Sequence, residues 1–336
     1  MTGVRVIGQA DVPRLLPMAA CVPLMAEALK SLARGDADQP LRSVIRLPGR
    51  NGFLGTMPAC VGPPLTTGVK VITVFPGNHG TPLDSHQGAV LLFDSDRGSL
   101  LAILDATSIT EIRTAAASGA ATDALARPDA QTLAILGSGV QASGHVAAMR
   151  AVRPISKVSV WSRDVKRARA FAEAESARHG ILVEAFAQAE DAVRGADIVC
   201  TVTSAAEPVL QGAWLSPGTH VNAVGACIPT HRELDTAAVA RSRVFVDRRE
   251  SALHEAGDIL IPIREGAFGP DHIAAEIGEV LLGRVPGREA ADDVTLYKSL
   301  GLAIEDLTAA RHVYEAAVAA GIGTLVELGG ARRASA

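Results

Sequence analysis

Apolar and polar positions change rhythm several times along the chain, and each change predicts a different kind of element. Between residues 12 and 34, Leu15, Leu16, Met18, Ala19, Leu24, Met25, Ala28 and Leu29 supply a broad apolar side at helical spacing. Asp11 stands where a cap would, with Val12 and Pro13 in the first turn. Pro17 and Pro23 argue against one unbroken helix, because neither has an amide hydrogen to give. From 42 to 105 the rhythm shortens to strand-sized runs at 43–47, 68–75, 89–93 and 100–104, punctuated by Gly, Pro and Asn. That texture predicts a mainly antiparallel sheet with hairpin-like connections. An Ala-rich stretch at 110–127, stopped by Pro128, predicts a long helix bridging two domains. Beyond it, runs at 132–136, 157–161, 181–186, 197–203, 220–224 and 244–247 alternate with helical stretches, the rhythm of βαβ units on a parallel sheet. The amphipathic stretch 304–320 follows after those strands are complete, so it is expected to return to the first domain. The small, polar and basic end, 329–336, reads as a disordered tail.

Composition narrows the partners. With 336 residues, 48% of them hydrophobic, and a formal net charge of -4, the chain is long enough for two domains. Aromatic residues make up 3%, too few for a base-stacking surface, so nucleic acid is not an expected partner. Cys21, Cys60, Cys200 and Cys227 are scattered, without C-x-x-C or His spacing, so no metal site is expected and the four read as reduced thiols of a cytoplasmic protein. Residues 1–10 carry no signal-peptide core, and the longest apolar runs, such as 89–93, are strand-sized, so no membrane span is expected either.

The first chemistry appears after the run 132–136. Gly137-Ser138-Gly139-Val140-Gln141-Ala142 fits G-x-G-x-x-G/A directly after a buried strand and before a helix. Gly137 allows the tight turn, Gly139 lets backbone approach a pyrophosphate, and Ala142 permits close helix-strand packing, while the helix amides attract the anion. The residues from Gly137 to Gln141 are therefore the expected phosphate cradle of a nicotinamide dinucleotide. The fold class predicted is α/β: a Rossmann dinucleotide-binding domain at 116–304, inserted into a discontinuous α+β substrate-binding and dimerisation domain made of 1–115 and 305–336. The second strand, 157–161, ends where an NAD site usually has an acid for the ribose hydroxyls, but here Ser162-Arg163-Asp164 follows, with Lys166 and Arg167 one turn later. A hydroxyl and guanidiniums at that edge suit a 2′-phosphate, which favours NADPH over NADH; alternatively Arg163 and Arg167 only solvate a helix start.

Three cations in the first domain are candidates for a substrate carboxylate. Lys70 shares a strand face with Ile72 and Val74, and is either a ligand or an edge-strand lysine that deters aggregation. Arg113 lies near the start of the long helix and is either a ligand or a surface arginine paired with Glu111 or Asp105. Arg42, before the run 43–47, is the third. Together they would clamp a carboxylate, Arg being suited to bidentate contact. His86 in Ser85-His86-Gln87 reads as a loop histidine, and the choices of proton donor, cofactor contact or neither stay open. Cys227 follows Val224-Gly225-Ala226 at the carboxyl end of a strand, as a ligand contact or a packed thiol.

Taken with Met57-Pro58-Ala59, Lys70-Val71, Ser85-His86-Gln87, the run 109–117, Arg232-Glu233-Leu234-Asp235 and Lys298-Ser299-Leu300-Gly301, these residues resemble the ornithine cyclodeaminase and mu-crystallin family from about Arg42 to Asp306. The resemblance implies a homodimer formed through the N-terminal domain. It implies that Arg42, Lys70 and Arg113 bind the substrate carboxylate region, with Lys70 and Arg113 catalytic, and that Glu255 and Cys227 line the substrate. It also assigns Thr114, Ser162, Arg163 and Ser299 to the dinucleotide, with Ser85, His86, Arg167, Thr203 and Val224 completing that set. Ornithine cyclodeaminases carry an acid two residues before the Met-Pro pair and an aspartate after the V-G-small segment, where this chain has Gly55 and Cys227. The reaction implied is therefore NAD(P)H-dependent reduction of an α-imino acid to an L-amino acid. Pyrroline-2-carboxylate, piperideine-2-carboxylate and iminosuccinate are the candidate substrates. The rivals are amino-acid deamination, of the ornithine cyclodeaminase or alanine dehydrogenase kind, and non-catalytic, NADPH-dependent binding of a small molecule.

Overall fold

In a computed structural model, the structure describes residues 3–78 and 80–328, and the expected tail at 329–336 lies outside them. The chain divides into two compact units, Met1–Arg113 with Leu302–Ala336, and Thr114–Gly301.

The first unit begins with β1 (Val4–Ile7), α1 (Val12–Leu15) and α2 (Met18–Arg34). Asp11 makes no side-chain cap bond, contrary to the expected cap, and the helix breaks at Pro17 but runs on through Pro23. Pro23 removes a single bond near the start of α2, whereas burial of Cys21, Met25, Ala28 and Leu29 holds the helix along its length. Then come β2 (Ala37–Asp38), β3 (Ser43–Arg46), β4 (Phe53–Val61), β5 (Thr66–Val74), β6 (His86–Phe93), β7 (Leu100–Asp105) and α3 (Ala106–Leu125). The antiparallel sheet is as expected from β3 to β7, but β1 joins β7 in parallel. Pattern reading missed β4, because Gly55 and Pro58 look like breakers. Pro58 falls where β3 has stopped pairing at Thr56 and β2 has not begun at Cys60, so its missing amide breaks no ladder on that side. The long helix starts four residues before the expected 110, where the Asp105 carboxylate accepts from the Ser108 amide at 2.8 Å and so caps it.

The second unit is a parallel sheet. Its strands are β8 (Thr132–Leu136), β9 (Lys157–Trp161), β10 (Leu182–Phe186), β11 (Ile198–Thr201), β12 (His220–Ala223), β13 (Arg243–Val246), β14 (Ile273–Glu276) and β15 (Thr295–Lys298). The order is β10-β9-β8-β11-β12-β15-β13-β14, every pair parallel, so the strand order reverses at β8 as in a doubly wound Rossmann sheet. Helices α4 (Val140–Val152), α5 (Val165–His179), α6 (Ala189–Val193), α7 (Thr236–Ala240), α8 (Arg249–Glu255), α9 (Gly257–Arg264) and α10 (Ile277–Leu281) connect the strands. The core gathers Leu136, Val199, Val221, Val244 and Leu296 from five neighbouring strands, with Leu210 and Leu234 from the loops. The strand β15 was not expected, since Thr-Leu-Tyr-Lys does not look like a central strand, yet all four residues are buried.

The chain then returns to the first unit as α11 (Ala303–Ala320) and β16 (Thr324–Val326). As expected, α11 packs on that unit, against α2, β4, β5 and β6. Among the described residues no helix is long and apolar enough to cross a membrane.

Candidate active site

In the first unit β5, α3 and α11 bring four charged side chains together. Lys70 projects from β5, Arg113 from α3, and Glu305 and Asp306 from the first turn of α11. Lys70 Nζ lies 2.6 Å from Asp306 Oδ2 and 3.5 Å from Thr110 Oγ1. Arg113 donates through Nε to Asp306 Oδ1 at 2.8 Å and through a terminal nitrogen to Glu305 Oε2 at 2.5 Å. The acids are favoured there by the positive end of the α11 dipole, and the cations complete the pairing. Lys70 is 2% exposed and Arg113 4%. Neither side chain lies at the surface. Lys70 sits on an interior strand between β4 and β6, so it is no edge lysine, and Arg113 is a buried residue paired with Glu305 and Asp306 rather than a surface arginine.

Burial pushes the Lys70 ammonium down to about 8, opposed by Asp306 and assisted by the Arg113 and Arg42 guanidiniums. Burial also works against the charge of Arg113, but Asp306 and Glu305 outweigh it and hold its pKa above the ordinary value. The cluster thus holds a fixed cation beside a lysine that exchanges a proton near neutral pH. Arg42 is half-buried just before β3. His86 opens β6 rather than lying in a loop; it is exposed, with Nδ1 3.1 Å from Ser85 Oγ.

In the second unit the turn after β8 has the features a dinucleotide needs. Gly137 has φ +132°, outside what a side chain tolerates, and a Cβ there would also meet the Val202 carbonyl at 2.9 Å. Gly139 is the N-cap of α4 without a side-chain cap, and the space where its Cβ would stand has no atom within 4 Å. The Gly137 amide donates to the Trp161 carbonyl at 2.8 Å, which ties the turn to the end of β9. Ser162 and Arg163 follow directly. Ser162 Oγ donates to the Asp164 carbonyl, Arg163 is exposed, and the Asp164 carboxylate caps α5 by accepting from the Lys166 and Arg167 amides. Asp164 is thereby committed to its helix, and Arg163 and Arg167 are exposed beside it.

At the carboxyl ends of β11, β12 and β15 lie Thr203, Val224, Cys227 and Ser299. The Thr203 amide and hydroxyl both donate to Glu233 Oε1 at 2.6 Å. Cys227 Sγ is 3.4 Å from the Val224 carbonyl. Ser299 is 1% exposed, and its hydroxyl has no partner among the described residues, which fits a ligand that would complete it. Thr114, buried, is the first residue of this unit, and Glu255 is half-buried at the end of α8. The turn, the α4 amides and the Ser299 hydroxyl fit a dinucleotide. Arg42, Lys70, Arg113, Ser85 and His86 belong to the first unit, and the remaining predicted residues to the second.

Sequence reasoning left out of the site Glu305 and Asp306, and Glu233, Asp258 and Lys298 in the second unit. All five are fully buried. Their signal is an ionisable residue inside an apolar run, as in Ala303-Ile304-Glu305-Asp306-Leu307.

Residues 4–321 match the family model described as the ornithine cyclodeaminase/mu-crystallin family. The chain is 40% identical to the ketimine reductase mu-crystallin of Mus musculus over 297 residues, 88% of this chain and 91% of the relative. Its structure is similar to that of the Thermococcus litoralis Δ1-pyrroline-2-carboxylate reductase in complex with NADH and L-proline, with a TM-score of 0.94 and 39% identity, covering 96% of this chain and 100% of the other. An archaeal alanine dehydrogenase dimer with bound NAD matches with a TM-score of 0.91 and 32% identity, covering 97% and 99%. Matched over nearly its whole length, the chain belongs to the ornithine cyclodeaminase/mu-crystallin family, among its oxidoreductases.

Proposed function

We propose that this protein is an NAD(P)H-dependent reductase of α-imino acids, with NADPH preferred, and that it produces L-amino acids. The observation that carries the reading is Lys70, a buried ammonium brought down to about 8 beside a permanently charged arginine. Such a pair suits a substrate that offers a carboxylate to hold and a C=N nitrogen to protonate. The reductase relatives support it, as does the lack of a carboxylate at Gly55 and Cys227.

C2 of the imine would accept the hydride that a dinucleotide held at the turn after β8 would supply. Arg113, held by Glu305 and Asp306, and Arg42 orient the carboxylate, which fixes the face of the imine. Lys70, or a water it orders, gives its proton to the imine nitrogen, so that the C=N π pair becomes the nitrogen lone pair of the amine as the C2–H bond forms. Solvent then returns a proton to Lys70. Asp306 keeps Lys70 aimed and charged, and Glu255 is a candidate partner for the nitrogen.

Because the acid form of Lys70 is the donor and its protonated fraction falls as pH rises through about 8, kcat/KM is expected to decline on the alkaline side. A pH-rate profile flat from 7 to 10 would remove Lys70 from the chemistry. For the cofactor, Arg163→Ala is expected to raise the NADPH KM by about tenfold and leave that for NADH within about twofold; an unchanged ratio would mean that Arg163 only solvates α5. We further propose a homodimer, since the archaeal relative is a dimer. The test of the whole reading is NAD(P)H oxidation with pyrroline-2-carboxylate, piperideine-2-carboxylate and iminosuccinate, one cofactor consumed per imine. Ammonia released from ornithine with no net cofactor change would replace it with cyclodeamination, and tight NADPH binding without any turnover would replace it with a binding protein.

A further inference from the structure

The second unit carries a buried charge network that the chemistry above does not use. Glu233, fully buried, receives four donors: Thr201 Oγ1 at 2.8 Å, the Thr203 amide and hydroxyl at 2.6 Å each, and the Gly225 amide at 2.7 Å. Burial and the neighbouring Asp258 push its pKa up, opposed by the Thr203 hydrogen bonds and by Lys298. Asp258 accepts from the Glu233 and Leu234 amides through Oδ1, at 2.8 and 3.0 Å, and its Oδ2 lies 3.1 Å from Lys298 Nζ. Lys298 also donates to the Ala223 carbonyl at 3.1 Å. Burial works against the Lys298 charge, but Asp258, with Cys227 and Glu233, outweighs it and keeps the ammonium charged.

The location of this network gives it a role. Thr203 follows β11, Gly225 follows β12, and Lys298 ends β15, so a single carboxylate fastens the exits of β11 and β12 while its neighbours fasten that of β15. The fit at Gly225 is close enough that a Cβ there would meet the Thr203 carbonyl at 2.0 Å and Glu233 Oε1 at 2.6 Å. In a doubly wound sheet the dinucleotide crosses the carboxyl edge at the switch point, here β8. With the pyrophosphate on the turn after β8 and the adenosine ribose at the end of β9, the nicotinamide half falls to the β11, β12 and β15 side. That side carries the buried Ser299 hydroxyl, which lies one residue beyond Lys298 and has no partner among the described residues.

We infer that Glu233, backed by Asp258 and Lys298, is a positioning residue that shapes the bed of the cofactor's nicotinamide half by locking the exits of β11 and β12. The inference rests on the dinucleotide reading given above. A buried carboxylate holding two loop exits is worth keeping only if their spacing matters to something lying across them, since an apolar pair would pack there with less desolvation.

The test compares a whole dinucleotide with its adenosine fragment. Kd values for NADP+ and for 2′,5′-ADP are measured by calorimetry on the full-length protein, wild type, Glu233→Ala and Glu233→Gln. The alanine variant is expected to bind NADP+ about tenfold or more weakly while 2′,5′-ADP stays within about twofold, because the turn after β8 and the Ser162-Arg163 edge are untouched. Fragment binding also certifies that the variant is folded. Should the alanine variant fail to fold, glutamine decides, since its oxygen serves one exit and its NH2 faces the donors of the other; an intermediate loss confined to NADP+ is expected. Equal losses for NADP+ and 2′,5′-ADP, or no loss for either, would overturn the positioning role. A wild-type protein that binds neither NADP+ nor NAD+ would overturn the dinucleotide reading itself, and this inference with it.

Discussion

Lys70→Met lowers kcat for imine reduction by about 10²- to 10⁴-fold, the usual contribution of a general acid, while the Kd for NADPH stays within about twofold. Methionine keeps much of the volume of the buried side chain and removes only the ammonium. Asp306 is not left unpaired, because Arg113 Nε still donates to it at 2.8 Å. The phosphate turn belongs to the other unit, which is why cofactor affinity is expected to survive. Stopped-flow reduction together with NADPH fluorescence titration separates the two quantities, and turnover near that of the wild type would defeat the assignment of Lys70.

Asp306→Ala has the larger structural effect. It leaves Lys70 buried beside Arg113 with no carboxylate of its own, and it strips Arg113 of one of two partners. Breaking one side of a buried pair costs about 3–5 kcal/mol, because the remaining charge keeps its desolvation penalty. In a domain of this size that lowers Tm by on the order of 10 °C, readable by scanning fluorimetry. Chemistry moves as well. Asp306 raises the Lys70 pKa against burial, so without it the alkaline limb of kcat/KM should shift to lower pH than in the wild type. Asp306→Asn, which keeps the shape and one acceptor, should recover much of the Tm but not the position of the limb. An unchanged limb in both variants would separate Asp306 from the titration of Lys70.

The order of strands was legible wherever apolar runs were long and bounded by Gly or Pro, which is why β8 to β13 and the packing of α11 followed from pattern alone. The failures share a cause. In β4, Pro58 is harmless because it sits opposite a gap between two partner strands, a fact of register that no local pattern carries. In β15, lysine and threonine occupy fully buried positions because Asp258 and His220 supply partners from distant parts of the chain. The candidate site divides the same way. The phosphate turn and Lys70 were visible, since glycine spacing and a cation on a strand face are local. The carboxylates that hold Lys70 and Arg113 were not, because they come from more than 190 residues along the chain, while the acids close to Arg113 in sequence, Glu111 and Asp105, left a surface pairing open beside the ligand reading.

The central claim is hydride transfer to an imine carbon, and isotope transfer tests it most directly. With NADPH deuterated at both C4 positions and Δ1-pyrroline-2-carboxylate or Δ1-piperideine-2-carboxylate as acceptor, mass spectrometry should find one deuterium at C2 of the L-amino acid formed, with one NADPH oxidised per product. An amino acid formed without deuterium at C2, or ammonia released from ornithine with the deuterated cofactor regenerated and none consumed, would contradict it.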